Sequence, residues 1–262
     1  YLSSELHHSF LVTENQEVLR LEEKYRVTIN QQNYVEAEQL LKKIKEMVSM
    51  GQLINKQYIE YEEVRLAYKR KEITKEEFIQ CATPILEYTM PLNIILKPLE
   101  KIKPKSDKYF EERYFTNEEI TIFYNIAKEL EEEEQEQYFV ILQEYFEYLE
   151  DEVTIPPILG MYGLVMSAIA SYMGNKKKYE DAILINKKII EQSLRLRHLE
   201  YVEKNLYGLM WNEEKKEGLP EQENLNRILC IKDCIIIDNY NKNQMRENWM
   251  KNKLQSILDK FY

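Results

Sequence analysis

The sequence contains little glycine and proline, with 6 Gly and 7 Pro among its 262 residues. Average usage would give roughly 18 Gly and about 13 Pro at this length. Turn-dense β-sandwiches and glycine-rich nucleotide-binding folds need more glycine, because their tight turns and close backbone approaches require it. The composition therefore favours long helices joined by short loops.

Long apolar runs, a basic surplus and paired cysteines are also missing. No apolar stretch approaches the roughly 20 residues that span a bilayer, and the N-terminus lacks the order of a signal peptide. The net charge is −10, and Lys and Glu alternate along most segments, so these residues are not expected to bind DNA. The 3 Cys are an odd number, which favours a reducing cytoplasm over a disulfide framework.

The sequence shows no signature of catalysis, of a cofactor or of a metal site. Glycine-rich phosphate loops and the nucleophile elbow of hydrolases are absent. Cys230 and Cys234 lie four residues apart, but no second pair accompanies them, which favours free thiols packed in a core. His7 and His8 are adjacent and His198 is alone, so no zinc-binding helix is predicted. We expect a protein that is not an enzyme and that needs no cofactor.

Amphipathic helical periodicity recurs almost from end to end and predicts about eleven helices. Thr74 and Thr116 are each followed three residues later by Glu, which predicts two capping boxes. Pro156 and Pro157 suit the first turn of a helix, and Gly174 suits a helix end. Two stretches break the pattern and are predicted to be irregular: residues 91–115 and residues 212–223.

The predicted helical hairpins resemble one another, which indicates an internal repeat. The segments Gln32 to Ala37 and Lys177 to Ala182 both place a Tyr three residues before a small Ala, as the turn of a tetratricopeptide repeat (TPR) does. Ala170 fits the small position of the first helix, and other hairpins match less well. We therefore predict an all-α, TPR-like right-handed solenoid of about five antiparallel helix pairs in a single domain, 1–262, with a concave face lined by first helices.

The run from Lys108 to Ile120, followed by Tyr124-Asn125-Ile126-Ala127, resembles the sensor domains of one protein family. These are the peptide-pheromone-responsive helix-turn-helix transcriptional regulators of Gram-positive bacteria (Rgg/PlcR-like). The resemblance implies a sensor that binds a short signalling peptide on its concave face and is a homodimer through its C-terminal helices. It also implies DNA binding only through a helix-turn-helix domain upstream of Tyr1.

Candidate peptide-binding residues follow from the repeat register. Asn suits an extended peptide because its amide can both donate and accept hydrogen bonds, and Arg can pair with a carboxylate. The residues placed on the concave face, two before the small position or beside it, and those one turn away, are Asn125, Asn205, Arg65, Ser167, Ser171, Tyr124, Lys128, Tyr162 and Tyr201.

Other interpretations remain open at this stage. An Asn on a helix is often solvated or caps a neighbour, and an Arg among Glu residues often forms a surface pair. A generic TPR scaffold that binds a protein partner without a small-peptide ligand is the alternative function, and an all-helical enzyme ranks lowest.

Overall fold

The fold comes from a computed structural model, which describes residues 11–92, 96, 115–149, 156–195, 201–218, 225–240 and 244–259. These residues form eleven helices and no strand, so the all-α prediction is confirmed for the part of the chain described. The helices are α1 (Gln16–Asn30), α2 (Tyr34–Met47), α3 (Leu53–Lys69), α4 (Lys75–Leu86), α5 (Asn117–Glu129), α6 (Glu132–Tyr148), α7 (Pro156–Asn175), α8 (Tyr179–Arg195), α9 (Val202–Glu217), α10 (Leu225–Tyr240) and α11 (Gln244–Leu258).

The helix starts follow the capping chemistry of the sequence. Thr74 and Thr116 accept hydrogen bonds from the backbone N–H of the Glu three residues later, and each Glu carboxylate accepts from the cap backbone in return. Both predicted capping boxes are therefore confirmed. Asn15 and Asn33 cap α1 and α2 without a capping box, by accepting from the backbone N–H of Glu17 and of Glu36. Helix α7 begins at Pro156, as the sequence predicts.

One tight turn recurs in three hairpins, and glycine does not make it. Gln32, Lys71 and Lys177 take the left-handed conformation, with φ of 61°, 61° and 62°. Gly174 is the last residue but one of α7, so the helix ends close to where the sequence predicts, but the left-handed residue that follows it is Lys177 and not the glycine. The same backbone hydrogen-bond pattern surrounds the three left-handed residues, which makes these hairpins structurally equivalent.

The predicted loop at 212–223 is wrong over its first half, because α9 continues to Glu217 and ends at Gly218, which has φ of 66°. Tertiary contacts hold this polar stretch in the helix. Asn212 and Glu214 are buried, and Glu214 pairs with Arg227 of α10. Residues 219–224 lie outside the described part of the chain, as does most of the predicted irregular stretch 91–115.

The chain divides into two compact units, Tyr1–Tyr148 and Leu149–Tyr262. In the first unit each helix from α1 to α6 packs on the next, and in the second unit each helix from α7 to α11 does the same. In the second unit α7 also contacts α9, so first helices of neighbouring hairpins meet there. The solenoid handedness and the single-domain assignment stay predictions. None of the described helices has both the length and the apolarity that crossing a membrane requires.

Candidate functional site

The nine predicted site residues divide between the two units. Arg65, Tyr124, Asn125 and Lys128 lie in the first unit, on α3 and α5. The remaining five lie in the second unit on α7 and α9, or just before α9: Tyr162, Ser167, Ser171, Tyr201 and Asn205.

In the first unit Arg65 is already paired. Its Nη1 lies 2.5 Å from Oε1 of the buried Glu62, and the second oxygen of Glu62 accepts a 2.5 Å hydrogen bond from the Tyr25 hydroxyl. Glu22 of α1 and Glu118 of α5 are also buried, and they lie close enough to Glu62 for the three carboxyl groups to interact electrostatically. A peptide carboxylate at Arg65 would have to compete with Glu62.

The three other predicted residues of this unit, Tyr124, Asn125 and Lys128, lie on α5. Asn125 donates a 2.9 Å hydrogen bond to the Thr121 carbonyl, and its side chain lies near the Tyr61 hydroxyl. Burial raises the pKa of Tyr124 to about 12, and the Lys128 ammonium lies 5.5 Å from the centre of the Tyr124 ring. These contacts describe a packed polar layer.

A surface groove of about 660 Å³ lies in the first unit between α2 and α3. Its charged lining residues include Lys45, which pairs with Glu63, and Arg70, which pairs with Glu38 and Glu72. None of the predicted site residues lines it.

The second unit holds a groove of about 310 Å³ that collects three of the predicted residues, Ser167, Ser171 and Asn205. We call it the asparagine groove. It is lined from α7 by Ser167, Ser171 and Asn175, from α8 by Asn186, from α9 by Lys204, Asn205, Tyr207, Gly208, Trp211 and Asn212, and from α11 by Trp249 and Lys253.

Two predicted residues of this unit do not line the groove. Tyr162 is buried. The Tyr201 ring packs on Gly163, where an added Cβ would lie 2.3 Å from a ring carbon. Both therefore contribute to packing in this structure.

Three asparagines of the groove share one geometry, which fixes the orientation of each amide. Nδ2 of Asn186, Asn205 and Asn212 donates to the backbone carbonyl four residues earlier, over 2.7–2.8 Å. Because a carbonyl can only accept, the nitrogen must face it, and the amide oxygen points away from its own helix turn.

Asn205 uses both of its N–H groups. The second donates to Ser167 Oγ over 2.8 Å, and that hydroxyl donates in turn to the Gly163 carbonyl over 2.5 Å. The buried Oδ1 atom of Asn205 has no hydrogen-bond partner among the described residues. The sequence suggested an amide that donates and accepts, and the geometry leaves Asn205 with an acceptor only.

Two glycines make room for these amides. A Cβ on Gly174 would lie 2.4 Å from Asn212 Oδ1, and one on Gly208 would lie 3.0 Å from Asn186 Oδ1. Glycine at these positions therefore lets helices of neighbouring hairpins approach with a polar side chain between them. Gly208, rather than Tyr207, is the close-approach residue of its hairpin.

The α11 side of the groove carries aromatic rings and a lysine. Lys253 Nζ donates to the Tyr207 hydroxyl over 2.5 Å and lies 4.7 Å and 4.3 Å from the ring centres of Tyr207 and Trp249. The two rings meet edge to face with centres 5.7 Å apart. Among the described residues no carboxylate pairs with Lys253.

Ion pairs link α9 to its two neighbours, Glu214 to Arg227 of α10 and Glu203 to Arg246 of α11. Arg246 Nε lies 3.1 Å from Glu203 Oε1, and the Arg246 guanidinium covers the Trp249 ring at 4.4 Å.

Burial, and then the Glu203 charge, raise the pKa of Asp238 to about 7, although Arg246 opposes the shift. Cys230 and Cys234 are free thiols facing backbone carbonyls. No group of described His, Cys, Asp and Glu residues could hold a metal ion.

The sequence did not point to Trp211, Asn212, Trp249 or Lys253. One signal was present, because Asn205, Gly208 and Asn212 have the spacing of a single helix face. The contribution of α11 has no such signal, since it depends on how α11 packs against α9.

Comparisons with known proteins add little. No protein-family model matches the sequence, and no curated protein matches it. Among solved structures, the chain is similar to a crystal structure from Podosopora anserina described as kinesin light chain nearly identical TPR-like repeats. The TM-score is 0.39 with 10% identity, and the match covers 95% of this chain and 99% of the other. This likeness has no bearing on function.

Proposed function

We propose that this chain is a TPR-like helical module that binds a short extended peptide in the asparagine groove. One observation carries the proposal: hydroxyl and amide groups from three helices line this groove together with both tryptophans of the chain. Extended peptides present an unpaired backbone N–H and C=O at each residue, and polar side chains in a groove can pair with them.

The dimensions favour a short segment. A volume of about 310 Å³ is near the lower end of the range of about 300–1,000 Å³ for small-ligand pockets. A folded partner would need a much larger surface, since stable protein–protein interfaces bury at least about 1,200 Å² in total.

The orphan acceptor favours a ligand that brings an N–H group. A buried acceptor without a partner costs about 1–3 kcal/mol, and Asn205 Oδ1 is in that state. Because this oxygen is fully buried, a peptide N–H reaches it only after a side chain of the groove moves, and the new hydrogen bond would then remove that cost.

Within this proposal, the resemblance to peptide-responsive regulators suggests a sensor that controls an N-terminal helix-turn-helix domain. A generic TPR scaffold that docks a partner's extended segment would use the same groove. Reading the gene upstream of the codon for Tyr1 separates the two: a helix-turn-helix segment supports the sensor, and its absence supports the scaffold. Homodimerisation and a cytoplasmic location are part of the sensor proposal.

The test uses affinity selection of peptides from a random hexapeptide library by the purified chain, followed by calorimetric titration of the retained peptides. We expect Asn205→Ala to weaken binding by at least about tenfold, because it removes the acceptor and the Ser167 bridge. Asn125→Ala in the first unit is the matched control and should leave affinity unchanged. Binding lost in the control but retained in Asn205→Ala would place the site in the first unit and overturn the proposal.

A further inference from the structure

Two of the 3 cysteines of the chain lie side by side on α10. Cys230 and Cys234 are four residues apart, a spacing that places two side chains next to each other on one helix face. Cys230 is partly exposed, whereas Cys234 is 0% exposed. A small reagent in water therefore meets Cys230 first and finds a second thiol beside it.

Both thiols face α9 and help to hold α10 against it. Cys230 Sγ donates to the Leu206 carbonyl over 3.5 Å, and Cys234 Sγ donates to the Glu203 carbonyl over 3.6 Å. Cys234 also belongs to a buried apolar cluster with Met250 of α11, and Cys230 packs against that cluster. The thiol pair thus lies where α9, α10 and α11 meet.

The neighbouring thiol makes Cys230 the more reactive of the two. A hydrogen bond from the Cys234 thiol lowers the pKa of Cys230, against the opposing effects of burial and of three nearby carboxylates. The same hydrogen bond, and then burial, raise the pKa of Cys234, so Cys234 keeps its proton. Because the thiolate is the form that attacks peroxides, Cys230 is the sulfur that reacts first.

We propose that Cys230 and Cys234 form a peroxide-sensitive thiol pair that closes to a disulfide. In the first step the Cys230 thiolate attacks one oxygen of hydrogen peroxide, the O–O bond breaks and hydroxide leaves, so that Cys230 becomes a sulfenic acid. In the second step Cys234 Sγ attacks the Cys230 sulfur, the S–O bond breaks, and the hydroxyl group leaves with the Cys234 proton as water. The two sulfurs lose two electrons, and the peroxide gains them.

Closing this disulfide changes α10. The Cβ atoms at positions i and i+4 of a helix are about 5–6 Å apart, and a disulfide holds its two Cβ atoms about 3.5–4.5 Å apart. The helix turn between the two cysteines must therefore distort, and neither sulfur can still donate to the Leu206 and Glu203 carbonyls. Oxidation loosens α10 from α9 as a result. Thiol reductants reverse the change, because a strained disulfide is readily reduced.

The experiment treats the reduced full chain with hydrogen peroxide and then blocks the remaining thiols with N-ethylmaleimide. Trypsin cleaves after Arg227, Lys232 and Lys242, so an internal disulfide joins two tryptic peptides, residues 228–232 and 233–242. We expect mass spectrometry to find these peptides joined in the single chain isolated by denaturing electrophoresis without reductant, and separate after dithiothreitol. The oxidised chain should lose at least about 2 °C in Tm and regain it on reduction.

Cys81→Ser is the matched control, because Cys81 is exposed on α4 in the first unit, whereas the thiol pair lies in the second. It should leave the joined peptides and the loss in Tm unchanged, and Cys230→Ser should abolish both. In Cys234→Ala the Cys230 sulfenic acid has no thiol to react with. Dimedone should therefore label Cys230 at least about tenfold more in this variant than in the unchanged protein. Circular dichroism of the reduced variants confirms that each folds.

The unchanged protein alone is enough to overturn the proposal. Oxidation of Cys230 without joined peptides, or oxidation confined to Cys81, contradicts the thiol pair. Joined peptides with an unchanged Tm contradict the loosening of α10. The assay contains no peptide ligand, so its result is independent of the proposed function.

Discussion

Asp238 of α10 should make the stability of the second unit depend on pH in a definite direction. The residue is 2% exposed, and its Oδ2 atom has no hydrogen-bond partner among the described residues. Burial first, and then the charges of Glu203 and Glu247, raise its pKa from the ordinary 3.8 to about 7, against the opposing effect of Arg246.

A raised folded-state pKa means that the folded state holds a proton which the unfolded state has released. This carboxyl therefore favours folding fully below pH 3.8, and the contribution is lost as the pH rises to about 7. Each unit by which the pKa is raised corresponds to about 1.4 kcal/mol. The full rise in the pKa of Asp238 therefore sets an upper limit of about 4 kcal/mol on this contribution to the free energy of unfolding. Above pH 7 the buried charge destabilises the fold by that amount at most.

Asp238→Asn should remove this penalty, because the neutral amide resembles the protonated acid. We expect the variant to be more stable by about 2–4 kcal/mol at pH 8.5, which is about 5–10 °C in Tm for a protein of this size. The advantage should shrink toward zero as the pH falls to 4. Thermal unfolding followed by circular dichroism at pH 4, 6 and 8.5 measures it.

Asp233→Asn is the control, since Asp233 is exposed on the same helix. It should change Tm by less than about 2 °C at each pH. If Asp238→Asn gave the same Tm difference at pH 4 and pH 8.5, or lowered Tm at pH 8.5, the raised pKa of Asp238 would be refuted.

Two further predictions concern single backbone positions. Gly163→Ala should destabilise the protein by about 1–3 kcal/mol, because the new methyl group would overlap the Tyr201 ring. Gly160→Ala on the same helix meets no atom within 4 Å and should stabilise by up to about 1 kcal/mol in chemical denaturation, so equal effects would contradict the packing argument. Thr74→Ala removes the hydroxyl of a capping box and should lower the free energy of unfolding by about 1 kcal/mol, and an unchanged value would show that the box does not stabilise α4.

The helices themselves were predictable because their causes are local. Thr74 and Thr116 cap their helices through residues only three positions away. Gly174 shows the limit of local reasoning, because glycine at a helix end is a common pattern and here it serves the approach of Asn212 from another helix. The same contact, with the Glu214–Arg227 pair, keeps residues 212–217 helical against their polar composition.

The candidate site was predictable only in part. The repeat register placed Ser167, Ser171 and Asn205 on one face, and the structure brings these three together in the groove. The repeat register could not show that Asn205 donates its two N–H groups to the Tyr201 carbonyl and to Ser167 Oγ, since Ser167 lies 38 residues away in the chain.

The sequence by itself determined that this protein is helical, how its helices begin, and that its hairpins repeat. These properties depend on backbone freedom, capping and periodicity within a few residues. Only the tertiary structure decided which polar groups remain unpaired and where Lys253 meets Tyr207 and Trp249. Those properties arise from contacts between α7, α9 and α11, where distance in space is independent of distance along the chain.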